Sequence, residues 1–168
     1  MILSADVGFK NLGYTLWHKG KLMKCGCIIT DKAKGKTTRV SDDNAFRSAQ
    51  LALSLKDVIK AHKVQGIVGE LPSGGALSAK AMCKMAMATA VISAVASVME
   101  IPVEWTSPND VKLAVCGMRS ATKDEMMDKV RAMYDFAFPS TKTDFEHIAD
   151  SVGAYLALRN GNLVKLFG

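Results

Sequence analysis

MILSADVGFKNLGYTLW, residues 1–17, is the stretch whose reading decides the fold. Ile2, Leu3, Ala5 and Val7 make an apolar strand that delivers Asp6 to the turn Gly8-Phe9-Lys10-Asn11. Leu12, Tyr14, Leu16 and Trp17 then carry a second strand away. Apolar runs joined through a tight Gly-containing turn read as a hairpin. A carboxylate at the end of a strand inside a sheet is costly unless it is paired or coordinates a metal. Asp6 therefore needs partners, and the rest of the chain must supply them.

The chain has 168 residues, which fits a single domain, 1–168, with a real hydrophobic core. Its 22 Lys+Arg against 16 Asp+Glu give a net charge of +6. A basic surface of this size favours polyanions, nucleic acid above all. The start, MILSADVG, has no basic n-region and an acid at position 6, unlike a signal peptide. The longest weakly polar run, Ala86 to Met99, reads as too short to span a bilayer. Cys25 and Cys27 form a C-x-C pair in a strand, while Cys83 and Cys116 stand alone, so no zinc site is completed. Reduced, buried thiols in a cytosolic protein are expected, with no membrane association.

Lys21 to Ile29 reads as a third strand, giving an antiparallel meander. Thr30 to Ser41 lacks apolar periodicity and carries Lys32, Lys34, Lys36 and Arg39 around Gly35. It is a basic loop, either a solvated connector or an arm for a phosphate backbone. A helix follows, opened by Ser41-Asp42-Asp43 as a cap with acids in its first turn, with Phe46, Leu51, Leu55, Val58 and Ile59 on its apolar side. Then Val64 to Gly69 forms a compact strand ending in Glu70, before the loop Leu71-Pro72-Ser73-Gly74-Gly75. Two strand-end acids in one small domain invite pairing.

Ala76 to Met99 reads as a long helix of small and apolar residues, buried on more than one face and suited to meeting a second subunit. After a short strand at Ile101 to Trp105, Ser107-Pro108-Asn109-Asp110 caps a short helix that stops at Gly117. Thr122-Lys123-Asp124-Glu125 resembles a capping box, and its helix is expected to run to Pro139. The last expected helix, Thr143 to Arg159, sets His147 and Asp150 on one face above the small residues Gly153, Ala154 and Ala157. A solvated face would carry Lys or Glu there, so Asp150 is expected to point toward a closely packed sheet.

Asp6, Glu70 and Asp150, with His147 beside them, thus come from two strand ends and one helix. Converging carboxylates repel one another unless cations neutralise them, and hard oxygen ligands suit Mg²⁺ or Mn²⁺. Two such ions about 4 Å apart can activate a water and stabilise the leaving oxygen of a phosphodiester. A basic protein with this centre would be a nuclease.

The order strand-D-x-G-x-x-x-x-G, strand ending in Glu, late helix with H-x-x-D resembles the RuvC Holliday junction resolvases of the RNase H-like superfamily. Between these pieces, PNDVKLAVCGMRSATKDEM is similar to the family's V-K-x-x-V-x-G … A-x-K-x-x-[VM] segment, matching at Val111, Lys112, Val115, Gly117, Ala121, Lys123 and Met126. The resemblance spans residues 2 to 158. It implies an α/β RNase H-like fold, a mixed five-stranded sheet of antiparallel meander plus parallel strands flanked by helices. It further implies Asp6, Glu70, His147 and Asp150 as a metal-binding quartet for two Mg²⁺, Mn²⁺ substituting, with Glu146 the nearest competitor of His147. Lys112 and Lys123 fall where the family places basic residues near the scissile phosphate, and Lys123 is counted with the catalytic group. Lys10, Lys32, Lys34, Lys36 and Arg39 complete the expected DNA-binding set.

The activity implied is paired symmetric nicking of four-way DNA junctions by a homodimer, in a bacterial or phage-infected cytoplasm. Two departures stand out: Leu71-Pro72-Ser73-Gly74-Gly75 lacks the aromatic that bacterial members commonly carry after the Glu, and Val7 replaces a frequent Pro. They look more like a bacteriophage-type resolvase than the cellular enzyme. Three rivals compete with this reading. An RNase H-like nuclease for RNA, RNA–DNA hybrids or other branched nucleic acids keeps the fold. An actin-like or sugar-kinase ATPase shares D-x-G but needs two such domains. A non-catalytic DNA-binding protein would tolerate alanine at all three acids.

Overall fold

The computed structural model describes residues 1–35, 37–71 and 78–168. The strands are β1 (Ile2–Asp6), β2 (Asn11–His18), β3 (Lys21–Ile29), β4 (Gly66–Glu70) and β5 (Val103–Thr106). The helices are α1 (Val40–His62), α2 (Ala79–Val98), α3 (Pro108–Cys116), α4 (Lys123–Met133), α5 (Lys142–Leu158) and α6 (Asn162–Phe167). One five-stranded sheet forms in the order β3-β2-β1-β4-β5. β1, β2 and β3 pair antiparallel, and β4 and β5 join parallel to β1, so the expected mixed sheet is what the chain builds. The β2–β3 hairpin turns through Lys19 and Gly20, both at positive φ, as a two-residue hairpin loop of matching twist requires.

Side-chain parity then sorts β1 between two cores. Successive residues of a strand face opposite sides. Ile2 joins Trp17, Val68, Phe145 and Val152 in the core under α3, α4 and α5, while Leu3 and Ala5 join Leu51, Leu55, Ala88 and Ile92 under α1 and α2. Ser4 shares the α5 side, where its hydroxyl donates to the Ser151 carbonyl at 2.6 Å. Parity therefore places Asp6 on the α5 side as well. In β4 the same rule puts Val68 and Glu70 on that side and Ile67 on the other.

Helix α5 packs on the sheet at Gly13 and against α3 at its own Gly153, two places with no room for a side chain. A Cβ on Gly13 would stand 2.7 Å from the His147 Cβ, and one on Gly153 would press on Val115 of α3 at 3.1 Å. Ser4, Thr15 and Ser151 are completely buried between β1, β2 and α5. Their hydroxyls are satisfied: Ser151 donates to the Ile148 carbonyl at 2.8 Å, and Trp17 Nε1 donates to Thr15 Oγ1 at 2.8 Å. Buried polar groups paired this way fix one helix position rather than a range.

Several expected boundaries move. α1 starts at Val40 behind Arg39 with no side-chain cap, although Asp42 and Asp43 occupy its first turn. Its buried side takes Arg47, and Phe46 faces outward at 47% exposure. α2 begins at Ala79, capped by Ser78, and positions 76 and 77 of the expected helix lie outside the described residues. α4 has its capping box at Thr122 and Glu125 but ends at Met133, where Tyr134 turns extended, well before Pro139. α6 is an addition, held by a Leu163 N–H donating to Glu104 Oε2 at 3.3 Å.

α2 also departs from expectation in length and burial. An 18-residue window of this helix has a mean hydropathy of 1.7, so Ala79–Val98 is long and apolar enough by length and composition to cross a membrane, whereas the run Ala86 to Met99 covers only part of it. Only Ala88, Ile92 and Ala96 are buried, on one face rather than several. The cysteines are free as expected, yet Cys83 is exposed and the other three only half-buried.

Candidate active site

The site is assembled at one edge of the sheet, where β1, β4 and β5 end. Asp6 and Glu70 are direct neighbours in the parallel β1–β4 ladder, and on β1's other side Asp6 faces Gly13. Helix α5 crosses this edge, brought down by Gly13, so that His147 and Asp150 face the two strand-end acids. A cleft of about 320 Å³ is lined by all four, with Lys112, Lys123, Pro108, Val111 and Met126. Lys112 comes from α3, whose start is set by the Ser107 cap and Pro108, and Lys123 is the first residue of α4 behind the Thr122 capping box.

Charge is concentrated in this cleft. Burial, with Asp6 and Asp150 nearby, pushes the Glu70 carboxyl up to about 8. Burial, then Asp6, pushes Asp150 up to about 7, with Lys123, His147 and Lys112 acting in the opposite direction. His147 Nδ1 donates to Asp6 Oδ2 at 2.6 Å, and that bond raises the imidazole above its usual range against the effect of burial. With Nδ1 engaged, Nε2 is the ring atom left for a ligand.

Oxygen donors that resist sharing one cleft while ionised, beside an imidazole nitrogen, fit a hard divalent cation. Among the described residues no group of three His, Cys, Asp or Glu side chains is placed so that all three could hold one ion. A cation that keeps several waters and takes only one or two carboxylates suits such an open set, and Mg²⁺ behaves in that way.

The chain matches the family described as Crossover junction endodeoxyribonuclease RuvC over residues 2–157. It belongs to the RuvC family. No curated protein sequence matches it significantly. Among solved structures it is similar to T. thermophilus RuvC in complex with a Holliday junction substrate, with a TM-score of 0.72 at 20% identity over 93% of this chain and 90% of that one. A second Thermus thermophilus RuvC structure gives 0.68 at 19%, covering 93% and 91%. The yeast mitochondrial Holliday junction resolvase Ydc2 gives 0.60 at 12%, covering 93% of this chain and 76% of that one. The fold is thus the RNase H-like fold seen in these RuvC structures.

Within this RuvC fold the expected site residues fall into two groups. Asp6, Glu70, His147, Asp150, Lys112 and Lys123 line the cleft together. Glu146 is not among its lining residues; its carboxylate is engaged by Lys123 instead. Lys10, Lys32, Lys34 and Arg39 are exposed, Lys10 in the turn after β1 and the others on the β3–α1 loop; Lys36 and the loop 72–75 lie outside the described residues. Arg47 escaped the sequence reading. It is buried, stacks over Phe9 at 4.9 Å and donates from Nε to Thr30 Oγ1 at 2.9 Å, tying α1 to the turn that follows Asp6. Its only signal was an arginine beside the apolar positions of a helix, which a helix surface carries equally often.

Proposed function

We propose that this RuvC-family protein is a divalent-metal-dependent endonuclease that resolves four-way DNA junctions by paired symmetric nicks, working as a homodimer. The observation that carries the reading is the ladder pairing of Asp6 with Glu70 opposite His147 and Asp150, in a cleft whose rim is basic. Asp6, Glu70, Asp150 and His147 would hold Mg²⁺, with Mn²⁺ as a substitute. When bound, such ions help generate the attacking nucleophile and stabilise charge on the phosphodiester and the leaving oxygen.

The remaining work belongs to the chain. Lys112 and Lys123 draw the scissile phosphate to the cleft and offset its charge beside the carboxylates. Glu146 holds Lys123 at the rim. Asp6 orients His147, while the Ser4, Thr15 and Ser151 hydroxyls prevent α5 from shifting against the sheet, so acids and imidazole keep their spacing as the substrate enters. Lys10, Lys32, Lys34 and Arg39 extend the basic surface along the same edge, for strands leaving the cleft.

The homodimer reading rests on α2. Met82, Ala86, Ala90, Ala94 and Val98, spaced by four, are all exposed and form one apolar stripe along the helix. Met82, Ala86 and Ala90 also line a groove of about 360 Å³ with Leu71 and Met85. Apolar surface of this extent normally marks an interaction site. A second copy presenting the same stripe would give the two active sites that paired nicks need.

The test is cleavage of a labelled synthetic four-way junction beside linear duplex and an RNA–DNA hybrid, with Mg²⁺ or with EDTA, and with Asp6→Asn in parallel. Symmetric nicks in the junction are expected, absent with EDTA and in the variant, with gel-shift binding kept. Cleavage of the hybrid alone would replace the junction by that substrate, and binding without cleavage under either metal would refute the catalytic reading.

A further inference from the structure

A second basic concavity lies at the same edge of the sheet, on the α1/α2 side. It is a pocket of about 300 Å³ between the β3–α1 loop and the first turns of α2, with Lys32, Thr38, Asn44, Lys80 and Lys84 in its wall. Lys80 and Lys84, one helical turn apart, share a face of α2 at its N-terminal end, where the helix dipole adds to their positive field. The one acid in the wall, Asp43, is already committed: Oδ1 accepts the Ala33 N–H at 2.8 Å, and Oδ2 lies 4.0 Å from Arg47. Asn44 Oδ1 is buried and has no hydrogen-bond partner among the described residues. A lysine ammonium drawn inward over an anion would supply the missing donor.

The pocket is tied rigidly to the turn that follows Asp6. Thr30 donates from its backbone N–H to the Lys10 carbonyl at 2.9 Å and from its hydroxyl to the Phe9 carbonyl at 2.7 Å. Arg47 then grips Thr30 Oγ1 from α1. The loop side of the pocket is therefore anchored beside the carboxylate cleft, on the opposite face of the sheet.

We propose that this pocket binds a second backbone phosphate of the DNA, away from the scissile bond, and that Lys32, Lys80 and Lys84 are its ligands. The proposal rests on the nuclease reading above and deepens it: a strand cut in the cleft passes over the edge of the sheet and is held again on the far side. Two phosphate sites on opposite faces of the sheet favour a backbone that bends between them, as strands at a junction do. A single basic cleft does not discriminate in this way.

The experiment compares wild type with Lys80→Gln/Lys84→Gln, measuring binding of a labelled four-way junction in EDTA across a salt series and single-turnover cleavage in Mg²⁺ at saturating enzyme. Each phosphate that is no longer neutralised lowers the slope of log affinity against log salt by about 0.9 on duplex DNA. The double variant is expected to bind about tenfold more weakly with a slope lower by about 1, while bound junction is cut at the wild-type rate. Lys80→Arg/Lys84→Arg is expected to restore affinity. Unchanged affinity and slope, or a slower cut with affinity intact, would overturn the pocket while leaving the resolvase reading standing. If wild type neither binds nor cuts the junction, that reading fails. The pocket is then decided by salt-dependent binding of a labelled single-stranded oligonucleotide, which must weaken in the same variant or the pocket fails too.

Discussion

Helices α5 and α2 lie on opposite faces of one sheet, and their burial runs against their composition. α5 carries Lys142, Asp144, Glu146, His147 and Asp150, yet eight of its residues are buried. α2 has Lys80 and Lys84 as its only charges, yet only three of its residues are buried. The difference lies in how closely each backbone can approach. Gly13 lets α5 come down on the sheet until hydroxyls meet hydroxyls and carbonyls, and Gly153 lets α3 pack against its other side. α2 meets the other core with Ala88, Ile92 and Ala96, flanked by the half-buried Met87, Val91 and Val95, and leaves the stripe from Met82 to Val98 outside. A polar helix thus completes this fold, and an apolar one leaves it open to association.

The largest expected effect tests what α5 positions. Asp6→Asn removes the acid shared by the β1–β4 ladder and His147, and junction cleavage should fall by about a thousandfold or more, on the scale of losing a group that holds transition-state charge. Binding by gel shift should persist. A variant retaining a tenth of wild-type cleavage would detach the chemistry from this cleft.

Next in size is Gly13→Ala. The new methyl would meet the His147 backbone, so α5 must lift or the strand must bend. About 1–3 kcal/mol of stability should be lost in urea unfolding, as in other overpacked cores. Stability within error of wild type would mean that α5 is not seated by this glycine.

The pH response is expected to be smaller and spread over several units. The folded-state pKa of Glu70, about 8, lies above that of a free carboxyl, so the folded protein holds its proton more tightly than the unfolded chain. Stability contributed by this proton is full below about 4.5 and is lost as pH rises through 8. Asp150, raised to about 7, acts with the same sign, as does His147, raised by its bond to Asp6. Thermal melts in EDTA should therefore fall from pH 4.5 to pH 8, and either Glu70→Gln or added Mg²⁺ should flatten the slope. A melting temperature that rises over this window in EDTA would contradict the packing of these acids.

The smallest effect on the folded monomer is expected on the other helix. Ala90→Arg, on the exposed stripe of α2, should leave unfolding stability within about 0.5 kcal/mol. Light scattering should nevertheless show a monomer, where the proposed homodimer predicts a dimer for the wild type. If mass is unchanged and stability collapses instead, α2 is a core helix and the contrast with α5 disappears.

Most of the sheet was legible because its strands obey simple rules. The hairpin at residues 2–17 and the two strands that end on acids carry their own local signals, and the capping box at Thr122 marks α4 without reference to the rest of the chain. The cleft was legible as a set, Asp6, Glu70, His147 and Asp150, because an acid at a strand end demands an explanation. Illegible parts depend on distant partners. Nothing around Arg47 announces Phe9 and Thr30, and nothing near Lys123 announces that Glu146 engages it. Phe46 and Arg47 are adjacent on α1, and a small rotation of the helix decides which is buried. On α2, apolar composition marks both the face packed on the sheet and α1 and the stripe left exposed, and only the packing tells which is which.

Asp6 ends the central strand, hydrogen-bonded to β2 on one side and β4 on the other. In native-state hydrogen exchange, doubly paired strands at the heart of a sheet open last, close to the global unfolding free energy. The acid proposed to hold the metal therefore belongs to the least yielding segment of the molecule. Any deformation needed to bring a phosphodiester into line must come from the DNA or from the basic rim. The enzyme would act as an anvil, against which a pliable substrate is shaped.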